Sequence, residues 1–245
     1  MSEFRPNSER RVPPPPESPI ETVKPEPELI EETVEDEIQP EEEDLEPAPR
    51  AIDPAFVFIV LVIIALVGLN RIDVDVRYAL TWSVLIVVAA FAIALDKIHI
   101  ERITASSLFI GIGFGALIGL PVLGVGAAEL KRISLSIFGN ASDVSAFQML
   151  AITMPLAEGL YYRAAMQSAR SAVFTGIAGG VWSMVLFFPQ LSVLKFPFVA
   201  AMIGLCFVFV NSVYSYLRHR FGLFSSWSCQ ITINLLLLFV ARFAA

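Results

Sequence analysis

An acid and an arginine five residues apart, Glu158 and Arg163, stand inside an apolar stretch long enough to cross a lipid bilayer. Ionisable side chains at bilayer depth are costly and persist where they line a cavity or meet a partner. Glu158 is the one acid in the apolar part of the chain that lies far from every expected loop. A carboxylate there could serve as a general base toward water. Three amides could assist it: Gln190, and the pair Gln230 and Asn234, which lie four residues apart and so share a helix face. Amides donate to a carbonyl oxygen as oxyanion-hole groups do, but a glutamine cannot accept a proton. Two amides on one face of a lipid-spanning helix need partners, so that face should turn into a bundle.

Arg163 needs separate treatment. Five residues of α-helix turn through about 500°, so Arg163 is not expected to face Glu158. Position 159 would face it, but holds Gly159. Arg163 should therefore either snorkel to the interface or meet acid or carbonyls from another helix. Tyr161 and Tyr162 are expected beside Glu158. No metal is expected. His99 and His219 fall in expected loops beside basic residues, whereas a catalytic zinc wants three ligands from His, Cys or carboxylate. No other cofactor is indicated. Cys206 and Cys229 lie in apolar runs and read as small core residues rather than a disulfide.

The elements that must position these groups are apolar helices. The 245 residues are 56% hydrophobic, with mean hydropathy +0.67, above the 45–50% of a typical soluble domain. The excess is concentrated after residue 50. Residues 1–50 hold sixteen acids, five bases and eleven of the sixteen prolines, so they read as a disordered acidic tail. That tail is a solvating tether or an arm for a basic protein. Nothing resembles a nucleic-acid-binding patch, and the N-terminus lacks the apolar core of a signal peptide.

Residues 51–245 form one membrane domain, in which apolar runs recur at about the 20 residues that cross hydrocarbon. We expect seven spans: 54–69, 78–95, 105–128, 144–167, 172–188, 196–217 and 223–243. The fold class is thus an all-α polytopic bundle with a disordered Pro-rich tail, embedded in a lipid bilayer of the cell membrane. Loop charges do not set its orientation. Gly111, Gly115 and Gly119, and also Gly176 and Gly180, repeat every four residues, a pattern for close helix approach within the bundle or in a dimer. Pro121 and Pro155 are tolerable where a neighbour satisfies the carbonyl each one frees.

The order of these groups resembles the CPBP intramembrane proteases, the type II CAAX prenyl protease and ABI family. That family carries Glu-Glu-x-x-x-Arg, then Phe-x-x-x-His, then His-x-x-x-Asn on successive membrane helices. The first motif resembles Glu158-Gly159-Leu160-Tyr161-Tyr162-Arg163, preceded by Met154-Pro155. The second aligns Gln190 with the histidine after Leu186-Phe187-Phe188-Pro189. The third aligns Gln230 and Asn234, after Gly222-Leu223-Phe224-Ser225-Ser226-Trp227. The resemblance covers residues 144–240. It implies a catalytic set of Glu158, Arg163, Gln190, Gln230 and Asn234, and a membrane or prenylated peptide as ligand. The second Glu is replaced by Gly159 and both histidines by glutamine. Loss of a general base costs about 10²–10⁴ in rate, so the expectation is an endopeptidase-like membrane protein with lost or weakened proteolysis. An active divergent endopeptidase relying on Glu158, or a transporter or channel using Glu158 and Arg163 as a relay, are the alternatives.

Overall fold

The computed structural model describes residues 53–67, 74–95, 98, 100, 102–139, 141–191 and 193–244. The acidic tail and His99 lie outside them. The described residues fold into seven helical rods: α1 Pro54–Val67, α2 Val74–Leu95, α3 Ala105–Phe138, α4 over 143–169, α5 Ala172–Leu191, α6 Pro197–Phe221 and α7 Leu223–Phe243. Among the described residues there is no strand.

Five of the rods, α2, α3, α5, α6 and α7, are long and apolar enough to cross a membrane. Their outward faces are apolar too: Val125, Phe198, Phe109 and Leu117 are all more than 70% exposed. Contiguous apolar surface of this kind needs a bilayer rather than water. α1 has 14 residues, or about 21 Å, which is less than the roughly 30 Å hydrocarbon core. α4 is not a uniform α-helix, and its polar content sets it apart from the five.

α3 exceeds its expected bounds. Its 34 residues continue through Glu129, Lys131 and Arg132, where the charge cluster reads as a loop. Two local causes sustain the helix. Arg132 pairs with Glu129 one turn back, and Ser134, Ile137 and Phe138 bury against the bundle. The backbone leaves helical geometry at Gly126 (φ −114°, ψ 16°), five residues past Pro121.

The glycine stripes serve packing within the bundle. A Cβ on Gly111 would collide with the Ser225 carbonyl, and one on Gly115 would lie 2.6 Å from Thr232 Cβ, so α3 and α7 run parallel in close contact. On α5, a Cβ on Gly176 would lie 2.7 Å from Ser212 Oγ, and one on Gly180 2.6 Å from Val208 Cα, both on α6. The order reverses along the chain, so α5 and α6 are antiparallel. Gly222, at φ 91°, makes the turn between α6 and α7 that a side chain would strain.

The centre of the bundle is aromatic and polar. Trp82, Tyr78, Tyr161, Tyr162 and Trp182 are buried with Glu158, Arg163 and Gln230. Arg77, expected in a loop, is buried in the first turn of α2, where Nη2 donates to the Leu186 carbonyl at 3.0 Å. Both cysteines are free. Cys229 is buried, but Cys206 is exposed rather than in the core.

Candidate functional site

The site is built on α4, whose backbone changes helical type along its length. It is α-helical over Asp143–Gln148, π-helical over Met149–Thr153, α-helical over Met154–Glu158, π-helical over Gly159–Met166 and α-helical over Gln167–Ala169. The first π stretch has a chemical origin in Pro155. The Met154 N–H bonds to the Met149 carbonyl, five residues back. In that register the Leu150 carbonyl would next accept from residue 155, and proline has no N–H. The freed carbonyl is satisfied from α7: Asn234 Nδ2 donates to it at 3.2 Å and also approaches Met154 Sδ at 3.6 Å. Asn234 thus neutralises the defect that Pro155 creates.

The second π stretch changes which residues share a face. A π turn closes between positions five apart, the separation of Glu158 and Arg163. That register turns the two toward a common side more than an α-helix would, yet Arg163 meets an amide oxygen on another helix, one of the two outcomes expected for it. The two charges sense each other, although they form no direct ion pair. Arg163, at 1% exposure, does not snorkel. Its Nη2 donates to Asn211 Oδ1 on α6 at 2.8 Å. The guanidinium carbon lies 5.7 Å from the Tyr162 ring centroid and 5.4 Å from that of Tyr214, within cation–π range. Asn211 is held in turn: Nδ2 donates to the Phe207 carbonyl at 3.0 Å and lies 3.4 Å from Ser183 Oγ. Gly179 leaves the room, since a Cβ there would stand 2.5 Å from Asn211 Oδ1.

Glu158 is 2% exposed, and its Oε2 accepts from Gln230 Nε2 at 2.7 Å. The indole of Trp82 on α2 lies near enough to act on this carboxylate, but its N–H lacks hydrogen-bond geometry. The second carboxylate oxygen, Glu158 Oε1, and the amide oxygen, Gln230 Oε1, are buried without a donor. Tyr162 is buried with its ring edge-on to Tyr161, and the Tyr161 hydroxyl turns away from Glu158 to the Pro54 carbonyl at 2.8 Å.

The structure therefore joins Glu158 to Gln230, brings Arg163 into their electrostatic reach, and sets Asn234 one helical turn from Gln230 against the same rod, α4. It does not join Gln190 to them. Gln190 is half-buried near the end of α5 and makes no hydrogen bond to Glu158, Gln230 or Asn234. Asn211, Trp82 and Tyr214 were not singled out in the sequence. Asn211 had a readable signal, as an amide in the middle of an apolar run. Among the described residues no group of His, Cys, Asp and Glu could hold a metal.

Beside this centre lies an apolar crevice of about 200 Å³ lined by Pro155, Leu156, Gly159 and Leu160 of α4 and by Leu223, Phe224 and Trp227 of α7, with Ile100. Glu158 does not line it, but its neighbour Gly159 does. No family model matches the chain, and neither the curated proteins nor the solved structures contain a match.

Proposed function

We propose that this chain is a seven-span protein of the cell membrane, with α1 and α4 counted among the spans, built on the plan of the CPBP intramembrane endopeptidases but with proteolysis lost. The motifs around Glu158, Gln230 and Asn234 support the plan. One observation carries the loss: the carboxylate that would activate water is sealed from solvent and bound by an amide, Gln230 Nε2, at 2.7 Å. An amide cannot relay the proton that a base in its place would take. Asn234 is likewise committed to the Leu150 carbonyl rather than to an oxyanion. What remains available is the apolar crevice alongside, which suits an aliphatic side chain or a prenyl group of a membrane peptide.

The test uses the full chain in proteoliposomes with fluorogenic membrane-embedded and prenylated peptides. We expect no cleavage above the Glu158→Gln variant, together with saturable retention of an apolar peptide that Gly159→Leu weakens. Turnover that disappears in Glu158→Gln would overturn the reading and favour the active endopeptidase. That second reading draws on the lone pairs of Glu158 Oε1, which lack a partner.

A further inference from the structure

The apolar crevice between α4 and α7 has one polar group at its wall. The Trp227 indole stands with its five-membered edge toward position 159. Its Cδ1 is the atom that a Gly159 Cβ would meet, at 3.8 Å, and Nε1 is bonded to Cδ1. That N–H is buried and has no acceptor among the described residues. A buried indole N–H ordinarily finds a partner, and leaving it unmet in an apolar surrounding is costly. Phe224, three residues back, packs edge-on against the ring with centroids 6.0 Å apart and sets its orientation.

Three features bear on what occupies the crevice. At about 200 Å³ it is smaller than the roughly 300–1,000 Å³ of sites that enclose a small molecule, so it takes a length of chain rather than a headgroup. Pro155, Leu156, Leu160 and Leu223 give that chain an aliphatic bed. Its place along the bundle adds a depth. Leu223, Phe224 and Trp227 lie in the first turns of α7, directly after the Gly222 turn, where a span ends and tryptophan meets the membrane interface. The ester carbonyls of glycerolipids lie at that depth, just above their acyl chains. A helical membrane peptide is the poorer match for the N–H, because its backbone carbonyls are already bonded within its own helix.

We propose that the crevice seats one acyl chain of a glycerolipid, whose ester carbonyl accepts from Trp227 Nε1. The site shares its walls with the peptide crevice of the proposed function, but it rests on neither Glu158 nor the loss of proteolysis. A peptide entering there displaces the lipid.

The experiment uses the purified full-length protein in neutral detergent micelles, read by native mass spectrometry. The probes are a diacyl phosphatidylcholine and its diether analogue, which has the same chains and headgroup without the ester carbonyls. The expected result is about fivefold tighter retention of the ester, the worth of one neutral hydrogen bond. Trp227→Phe removes that preference and Gly159→Leu weakens retention of both lipids. Phe198→Ala, exposed at the opposite end of α6 from Gly222, changes neither. Circular dichroism confirms that each variant is folded. Equal retention of ester and ether by the parent overturns the proposal, and so does an ester preference that survives Trp227→Phe. Retention untouched by Gly159→Leu places the lipid elsewhere and overturns it too. If the two lipids are retained alike while an apolar peptide is held and is lost on Gly159→Leu, the crevice belongs to the peptide and this inference alone falls. An ester preference in a protein that retains no peptide supports the lipid site and removes the peptide from the proposed function.

Discussion

If Asn234 exists to satisfy the carbonyl that Pro155 frees, the two residues must be energetically coupled, and the coupling has a sign. Asn234→Ala removes the donor at 3.2 Å and leaves the Leu150 carbonyl buried without a partner. An unsatisfied buried group costs about 1–3 kcal/mol. Interhelical hydrogen bonds measured in bilayers average only about 0.6 kcal/mol, because the unfolded helices find partners too. Here the carbonyl has no alternative inside its own helix, so the upper part of the range applies and we expect about 1.5–2 kcal/mol. Pro155→Ala supplies an N–H at the position the π register calls for. In the Asn234→Ala background it should recover about 1 kcal/mol or more, whereas in the parent it should change stability by less than that. The assay is equilibrium unfolding in mixed micelles, followed by helical circular dichroism for all four members of the cycle. Contacting residues typically couple by 0.5–3 kcal/mol, and independent ones add within about 0.3–0.5 kcal/mol. Additivity at that level would show that the Asn234 amide and the proline defect are unrelated, and the account of the first π stretch would fall.

Further outcomes follow from the same geometry. Glu158→Gln should keep the fold to within about 1 kcal/mol, because the new amide can accept from Gln230 Nε2 and offer a donor to its orphan Oε1; unfolding of this variant at parental stability is the check. Arg163→Met should destabilise by about 1–3 kcal/mol by leaving Asn211 Oδ1 buried without its donor, with a further loss from the neighbouring acid that Glu158→Gln should suppress; equal losses in both backgrounds would deny the electrostatic link. Gly180→Leu should cost more than about 3 kcal/mol or prevent folding, since even a Cβ would lie 2.6 Å from Val208 Cα, while Gln190→Ala should cost less than about 1 kcal/mol. An apolar maleimide should label Cys206 and spare Cys229 in the folded protein, as read by mass spectrometry.

Hydropathy alone was enough to read the apolar helices, because lipid allows no other way to satisfy a spanning backbone. Their ends were less legible. Glu129, Lys131 and Arg132 look like a loop in one dimension, and only the burial of Ser134, Ile137 and Phe138 against the bundle explains why α3 runs on. Glu158 and Gln230 could be paired as candidates because each is a polar side chain with nowhere else to go. The relation of Glu158 to Arg163 could not, since a helical wheel assumes one register and α4 uses two. Gln190 was placed by linear spacing from an aligned motif, which says nothing about the direction in which the end of α5 points.

Among the described residues the three π-helical stretches all adjoin the polar centre: Met149–Thr153 and Gly159–Met166 on α4, and Leu235–Phe239 directly after Asn234 on α7. Such turns are rare and gather at functional sites. The first has its cause in Pro155 and the second orders Glu158 and Arg163; nothing in the structure explains the third. The centre they adjoin is sealed rather than saturated: Gln230 holds Glu158 Oε2, while Glu158 Oε1, Gln230 Oε1, Arg163 Nε and Nη1 and the Tyr162 hydroxyl are buried without a hydrogen bond. For Glu158 to act on water, the Gln230 contact must open, because Oε1 is sealed from solvent. A hydrogen bond to a charged group contributes about 1.5–3 kcal/mol, so opening it lowers the competent population about 10- to 150-fold. The absent second base removes a further factor of about 10²–10⁴. The product, about 10³–10⁶, is the margin by which this centre should fall short of a fully equipped protease, and a cleavage assay with that dynamic range can detect it.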